Sequence, residues 1–303
     1  MWTEPFAAIV RSVRGMTSTG RVRVALDSKD QLGEGPFWHE RRGELLRMDI
    51  ARGRVNGWRP SDGASWSSEI GEEVSAAIPR ASGDGLVLAV GRRLVLNDST
   101  LAEVDDARPG NRLNDCKCDP QGRLWAGTMA KDRARGAAAL YRLAPGGEIE
   151  RVIPNTTISN GLAWSASGDR MYFTDSATQR IDVLDFDGAT GEVADRRPFA
   201  SIEPADGLPD GIATDAEGGV WVCLFGGGAV RRYDEDGALD AVIPLPVTNP
   251  TSPAFGGRDL RTIYITTARQ GLSSAQLAAE PLAGAVLALD LGVAGLPGNR
   301  FGG

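Results

Sequence analysis

An all-β chain folded as a six-bladed β-propeller, with four-stranded blades around a central channel, is what the sequence predicts, on three observations. The 39 glycines among 303 residues recur in Asp-Gly, Gly-Gly and Asn-Gly pairs, the punctuation of short hairpins. Apolar and polar residues alternate with the two-residue period of strands in GLVLAVGRRLVLND (85–98), GAVRRYDEDGALDAVIPL (228–245) and GAVLALDLGVAG (284–295), and helical periodicity is scarce past Gly15. One unit also repeats along the chain. It consists of a polar entry residue, a short apolar strand, an Asp-x-x-Gly type of turn, an aromatic-bearing strand, and a third strand that ends in an acidic turn.

Aligned on their entry residues, the units begin at Glu34, Ser75, Asn114, Asn160, Asp210 and Ser252, spaced by roughly 40 to 50 residues, the length of a propeller blade. Residues 1–20 read as an N-terminal extension, a short helix or a disordered lead in which Met16 offers an alternative start, and 21–303 as a single propeller domain. The strand RVRVALD (21–27) is expected to pair with GAVLALDL (284–291), because a closed ring leaves no strand edge open. The first unit, LGEGPFWHERRGELLRMD (32–49), carries the only histidine, His39, at its hairpin turn, where an exposed or packed role outweighs a catalytic one. Around the second unit, Glu72 and Glu73 read as a solvated loop, as do Asp105 and Asp106 ahead of the third. The third, RLNDCKCDPQGRLWAGT (112–128), places Cys116 and Cys118 on one face of a strand, and packing accounts for them better than a thiolate metal site that lacks a second pair. In the fourth to sixth units SASGDRMYFTD, DAEGGVWVC and GGRDLRTIYIT repeat DPQGRLWAG. Trp125, Tyr172, Trp221 and Tyr264 then occupy matching positions between blades. The glycine-rich LFGGGAVRRYD (224–234) lacks the G-x-x-x-x-G-K-[ST] pattern of a phosphate loop and reads as a turn between strands.

Composition narrows the function. A net charge of -7 from 33 basic and 40 acidic residues, without a basic stripe, argues against a nucleic-acid partner. Three cysteines are too few for a disulfide framework and fit a reducing, cytoplasmic setting. No apolar run approaches the ~20 residues of a membrane span, and the apolar stretch near the N-terminus is too short for a secretory signal. Oligomeric state is not legible.

Inner strands of propeller blades run along the channel, so their polar entries meet at one mouth. Glu34, Asn114, Asn160 and Asp210 then present oxygen atoms from four blades to one point. Oxygen-only ligation suits one hard divalent cation, calcium, magnesium or manganese, and zinc or iron also occupy carboxylate sites. Each residue alone is an ordinary turn former; their recurrence at equivalent positions favours a shared site.

The motifs LGEGPFW, RLNDCKCDPQGRLWAGTM, ISNGLAWS, LPDGIATDAEGGVWV, TSPAFGG and YITTAR, in this order over about 31–271, closely resemble the senescence marker protein / gluconolactonase / luciferin-regenerating enzyme family, which includes regucalcin and bacterial sugar lactonases. The resemblance implies a six-bladed propeller and metal-dependent hydrolysis of sugar lactones of the gluconolactone or pentonolactone type. It implies that Glu34, Asn160 and Asp210 hold the metal and that Arg112 and Asn114 contact the substrate; with one oxygen on the metal, Asp210 is expected to activate water with the other. Asp132, within AKDRARG, falls where the family typically has a substrate-contacting glutamate. Two other functions stand beside this one: a calcium-binding regulatory protein without turnover, and a hydrolase of other esters such as organophosphates.

Overall fold

The computed structural model describes residues 11–12, 21–105 and 107–303. Six antiparallel sheets are arranged as the blades of a propeller. Their inner strands are Gly33–His39, Val74–Pro79, Asn111–Cys118, Ser159–Trp164, Leu208–Thr214 and Pro250–Gly256, and each neighbours the next, the sixth returning to the first. The sixth blade takes its outer strand from the start of the propeller: Arg23–Leu26 pairs with Val286–Asp290, with Arg23 opposite Ala288 and Val24 opposite Leu287. The expected ring closure is therefore present. Within the anticipated N-terminal extension, Arg11–Ser12 pairs antiparallel with the outer strand of the fifth blade, at Val242 and Ala241; the rest of 1–20, Met16 included, lies outside the described residues, as does Asp106.

The core is divided in the way a ring of blades requires, because each sheet is apolar on both faces and must bury both against neighbours. Six buried clusters result, one at every blade-to-blade contact: Met48, Ile50 and Val55 meet Val74 and Val90 between the first and second blades, and Trp38, Leu45 and Trp58 meet Tyr264 and Val286 between the first and sixth. Trp125, Tyr172, Trp221 and Tyr264 each lie in a different cluster, as the repeat requires. Cys116 and Cys118 are buried in the cluster between the second and third blades, which confirms packing as their role.

The Asp-x-x-Gly turns lock the tryptophans. In the third blade Asp119 Oδ1 accepts from the amides of Gln121 and Arg123, both at 3.0 Å, while Oδ2 accepts from Trp125 Nε1 at 3.0 Å. In the fifth, Asp215 Oδ1 accepts from the Glu217 and Gly219 amides, and Oδ2 from Trp221 Nε1 at 2.8 Å. One carboxylate thus fixes both the turn and the aromatic anchor of the next strand. Within 224–234 the expected turn falls at 226–228, between strands Val220–Phe225 and Ala229–Tyr233. Asp105 departs from the solvated loop expected of it. It is buried and accepts from Asn111 Nδ2, Thr128 Oγ1 and Tyr141 Oη, a hub that sequence proximity could not reveal because its partners lie up to 36 residues away.

A strap formed by the end of the chain crosses the far mouth of the channel. Leu296 N donates to Thr214 O at 3.0 Å, Asn299 Nδ2 to Cys118 O at 3.1 Å, and Phe301 N to Pro79 O at 3.0 Å. It thereby joins the fifth, third and second blades.

A carboxylate and amide cluster at the channel mouth

Every inner strand breaks register with its neighbour at the entry residue. The shifts fall between Glu34 and Phe37, Val74 and Ala76, Leu113 and Cys116, Ser159 and Leu162, Pro209 and Ile212, and Pro250 and Pro253. Each is a β-bulge, which leaves one extra residue unpaired and re-aims side chains. The entry pairs Asn160-Gly161 and Asp210-Gly211 are thus bulges inside strands rather than hairpin turns. Two of the glycines are required by close approach: a Cβ on Gly161 would stand 2.6 Å from Asp210 O, and one on Gly211 would stand 2.2 Å from Ser252 Oγ. Consecutive bulges nest against one another in this way.

The nesting brings four of the predicted residues into two hydrogen-bonded sets that adjoin through the Ser159–Asn160 peptide. Asn160 Nδ2 donates to Asp210 Oδ1 and, at 3.1 Å, to Ser176 Oγ, which donates to Pro209 O at 2.7 Å. Asn114 Nδ2 donates to Ser159 O at 3.1 Å, and Arg112 Nη1 donates to Asn114 Oδ1 at 2.9 Å and to Leu113 O at 2.7 Å. Asp210 is 6% exposed, Asn160 7%, Arg112 8% and Asn114 9%. Glu34 is half-buried, and its Oε2 accepts from Gly35 N at 3.1 Å.

Electrostatics tie Glu34 to this set. Burial pushes the Glu34 carboxyl up to about 8, with the charge of Asp115 adding to the rise and the Gly35 amide, Arg112 and Lys117 opposing it. Burial likewise raises Asp210 well above the usual carboxylate range, reinforced by Glu34 and Asp115 and opposed by the Asn160 bond and Arg112. Three carboxyls, Glu34, Asp115 and Asp210, therefore share a poorly solvated space in which their charged forms repel. Asp115 is itself raised by burial, and its Oδ2 has no hydrogen-bond partner.

Neither Asp115, which follows Asn114, nor Lys117, whose ammonium donates to Ile212 O at 2.5 Å inside the channel, stands out in the sequence. The i, i+2 spacing of Asp115 and Lys117 along a bulged strand was the available signal. Glu73 was assigned to a solvated loop. It does lie in a loop with its side chain 35% exposed, and its carboxylate pairs with Lys131 at 2.5 Å and faces Arg112 Nε at 3.8 Å, at the rim of the cluster. Asp132 is exposed, and its Oδ1 accepts from Ala134 N at 3.0 Å, closing a local turn. His39 ends the inner strand of the first blade, at the opposite end from Glu34, and is buried; it is packed, as expected.

Beneath the bulges the channel continues as a cavity of ≈ 280 Å³, walled by residues such as Phe37, Leu162, Ile212 and Phe255 and floored by the strap at Leu296 and Pro297. It reaches the carboxylate cluster through Asp115 and Lys117. Glu34, Asn160 and Asp210 do not line it, so the polar chemistry lies at the mouth and the apolar volume beneath it.

The donor set fits a hard divalent cation. Glu34, Asp210 and Asn160 each commit one polar atom to the protein, through Oε2, Oδ1 and Nδ2, leaving Oε1, Oδ2, the amide Oδ1 and a second lone pair on Asp210 Oδ1 to a ligand. A positive ion would also relieve the repulsion that raises the two carboxyls. Among the described residues no three His, Cys, Asp or Glu side chains form a metal-binding group, so the amide oxygen of Asn160 is integral to such a site.

Residues 32–269 match the family model described as the SMP-30/Gluconolactonase/LRE-like region. The chain is 36% identical over 299 residues to regucalcin of Oryctolagus cuniculus, covering 94% of this chain and all of the relative. It is 34% identical over 284 residues to a Bacillus subtilis (strain 168) protein whose name provisionally assigns it as a sugar lactone lactonase, covering 91% of this chain and 97% of that one. Among solved structures, a calcium-binding protein, regucalcin, of Agrobacterium tumefaciens superposes with a TM-score of 0.88 at 28% identity, covering 94% of this chain and 97% of that one. No helix among the described residues is long and apolar enough to cross a membrane.

Proposed function

The chain belongs to the SMP-30/gluconolactonase/LRE-like family, and from that premise we propose that it hydrolyses sugar lactones with one divalent cation held by Glu34, Asn160 and Asp210. The observation that carries the reading is the adjacency of two functions at one mouth. The three candidate ligands with uncommitted oxygens stand in the same cluster as Arg112 and Asn114. A protein that only bound an ion would need the first group and not the second.

When bound, the cation supplies a Lewis acid for the lactone carbonyl and a positive charge for the oxyanion of the tetrahedral transition state. The chain supplies the rest. Asp210 Oδ1 accepts from Asn160 and has a second lone pair to face the cation, which leaves Oδ2 to take the proton from the attacking water and to return it to the ring oxygen as the acyl C–O bond breaks. Arg112 is pre-oriented by Leu113 O and Asn114 Oδ1, so its rigid fork presents the remaining donors to sugar hydroxyls at little entropic cost. Asp132, with Oδ1 held by Ala134 N, has Oδ2 to offer a substrate hydroxyl. Residues 21–303 act as one domain in this reading.

The test is the hydrolysis of δ-gluconolactone by metal-stripped protein after add-back of calcium, zinc, manganese, magnesium or iron separately. Turnover that depends on one of these ions is expected. Rates at the spontaneous level with all five overturn the reading. A calcium-binding regulatory role, consistent with the name of the Agrobacterium relative, would then be favoured if calcium binds, and a phosphotriester assay separates hydrolysis of other esters.

The metal-free protein is also expected to lose stability as pH rises. In the folded state Glu34 holds its proton up to about 8, against 4.5 for its ordinary value, and Asp210 is shifted the same way. Between about pH 5 and pH 8 the folded state therefore binds more protons than the unfolded chain, so the unfolding free energy falls with rising pH. In chelator, Tm should decline across this window, and the activating cation should reverse the decline at its upper end. A flat or rising Tm in chelator contradicts the picture.

A further inference from the structure

Four arginines converge on a small cavity at the opposite end of the first blade's inner strand from Glu34. Arg41 and Arg42 lie in the turn Glu40–Arg42 that follows His39, Arg80 follows the second blade's inner strand, and Arg300 belongs to the strap. They line a space of ≈ 90 Å³. One carboxylate lines it with them, Asp84, which is fully exposed and 3.8 Å from Arg42 Nη2. The bonds that hold the guanidiniums go mostly to backbone: Arg80 Nε donates to Gly303 O at 2.8 Å, and Arg41 Nη2 to Ala81 O at 3.3 Å. The Ala81 carbonyl positions Arg41 without neutralising its charge.

Two further observations point to a missing anion. His39 lines the same cavity, is 7% exposed, and its Nδ1 has no hydrogen-bond partner. The cations also repel one another: burial and then the charges of Arg41 and Arg42 lower Arg300, with Glu40 opposing, and burial with Arg300 and Arg42 lowers His39, with Glu44 opposing. A chain of net charge -7 does not gather like charges in this way through composition. The arrangement is unfavourable as it stands and becomes favourable when an oxyanion completes it.

We propose that this cavity binds a phosphate group, free or carried as a monoester on a small metabolite, through Arg41, Arg42, Arg80 and Arg300. Planar guanidinium forks match the oxygens of a phosphate, and several water volumes of space admit one tetrahedral oxyanion while excluding an extended polyanion. Binding would tie the first blade's turn to the second blade and to the strap, and so stabilise the closed ring. The site is separate from the carboxylate mouth and does not depend on the lactonase reading.

Isothermal titration and thermal shift of the full chain, with inorganic phosphate and with glycerol 1-phosphate, test it against chloride at matched ionic strength. Saturable one-to-one binding of at least one of the two, with a raised Tm, is expected. Tighter binding of inorganic phosphate identifies a free anion, and tighter binding of the ester identifies a metabolite. Arg42→Gln and Arg300→Gln should each weaken binding about tenfold or more, the loss of one charge-assisted hydrogen bond, with Tm in chloride held near wild type. Neither ligand saturating, or affinity unchanged in both variants, overturns the proposal.

Discussion

Asp210→Asn is expected to lower kcat for lactone hydrolysis by about 10²- to 10⁴-fold, the range for removal of a general base, while the propeller stays intact. The fold should survive because an asparagine oxygen at 210 can still accept from Asn160 Nδ2, so the bond between the fourth and fifth blades persists. A second readout separates chemistry from folding. Burial disfavours the Asp210 carboxylate in the metal-free protein, so removing its charge should leave Tm in chelator at neutral pH equal to or above wild type. The expected signature is an inactive protein that is at least as stable without metal. A variant that keeps wild-type kcat shows that Asp210 is neither base nor essential ligand, and one that unfolds in chelator contradicts the electrostatic account of the cluster.

Trp221→Ala should produce the largest loss of stability, about 3–5 kcal/mol, lowering Tm by roughly 10 °C in a chain of this size. Trp221 is fully buried between the fifth and sixth blades, edge-on to Phe255 with ring centroids 6.1 Å apart. Its removal leaves a cavity in one blade contact and takes a donor from Asp215, which keeps Arg232 Nε at 2.7 Å. The ring amplifies the effect, since every blade depends on two neighbours and the sixth is closed by the first strand of the propeller. Trp221→Phe, which keeps most of the ring and loses the indole N–H, should cost about 1–2 kcal/mol. Denaturant titration of the two variants checks the pair of values. Equal losses would place the stability in the Asp215 bond rather than in the packing.

The fold was legible because a repeat reports itself. Spacing, alternation and the Asp-x-x-Gly turns are local properties of the chain, and they marked every blade, the closure by 21–27 and the aromatic position in four of the blade contacts. The convergence of Asn114, Asn160 and Asp210 followed from the same repeat, because equivalent positions in a closed ring must face one axis. The burial of Asp105 and the ion pairs of Glu73 escape the sequence for a common reason. A carboxylate beside another carboxylate looks solvated in a linear chain, and only the neighbours supplied by other segments, Lys131 and Arg112 for Glu73, and Asn111, Thr128 and Tyr141 for Asp105, show what it meets.

The sequence by itself determined the architecture, the number of blades and the residue types at the mouth, since all three are written in a period that short-range patterning preserves. Tertiary structure alone decided the environment of those residues. It turned the Asn160-Gly161 and Asp210-Gly211 pairs into bulges, added Asp115 and Lys117 to the cluster, raised Glu34 and Asp210, and gathered four arginines from two blades and the strap around one cavity. Burial and the distance between charges depend on the closed ring as a whole, and no stretch of the chain carries either quantity alone.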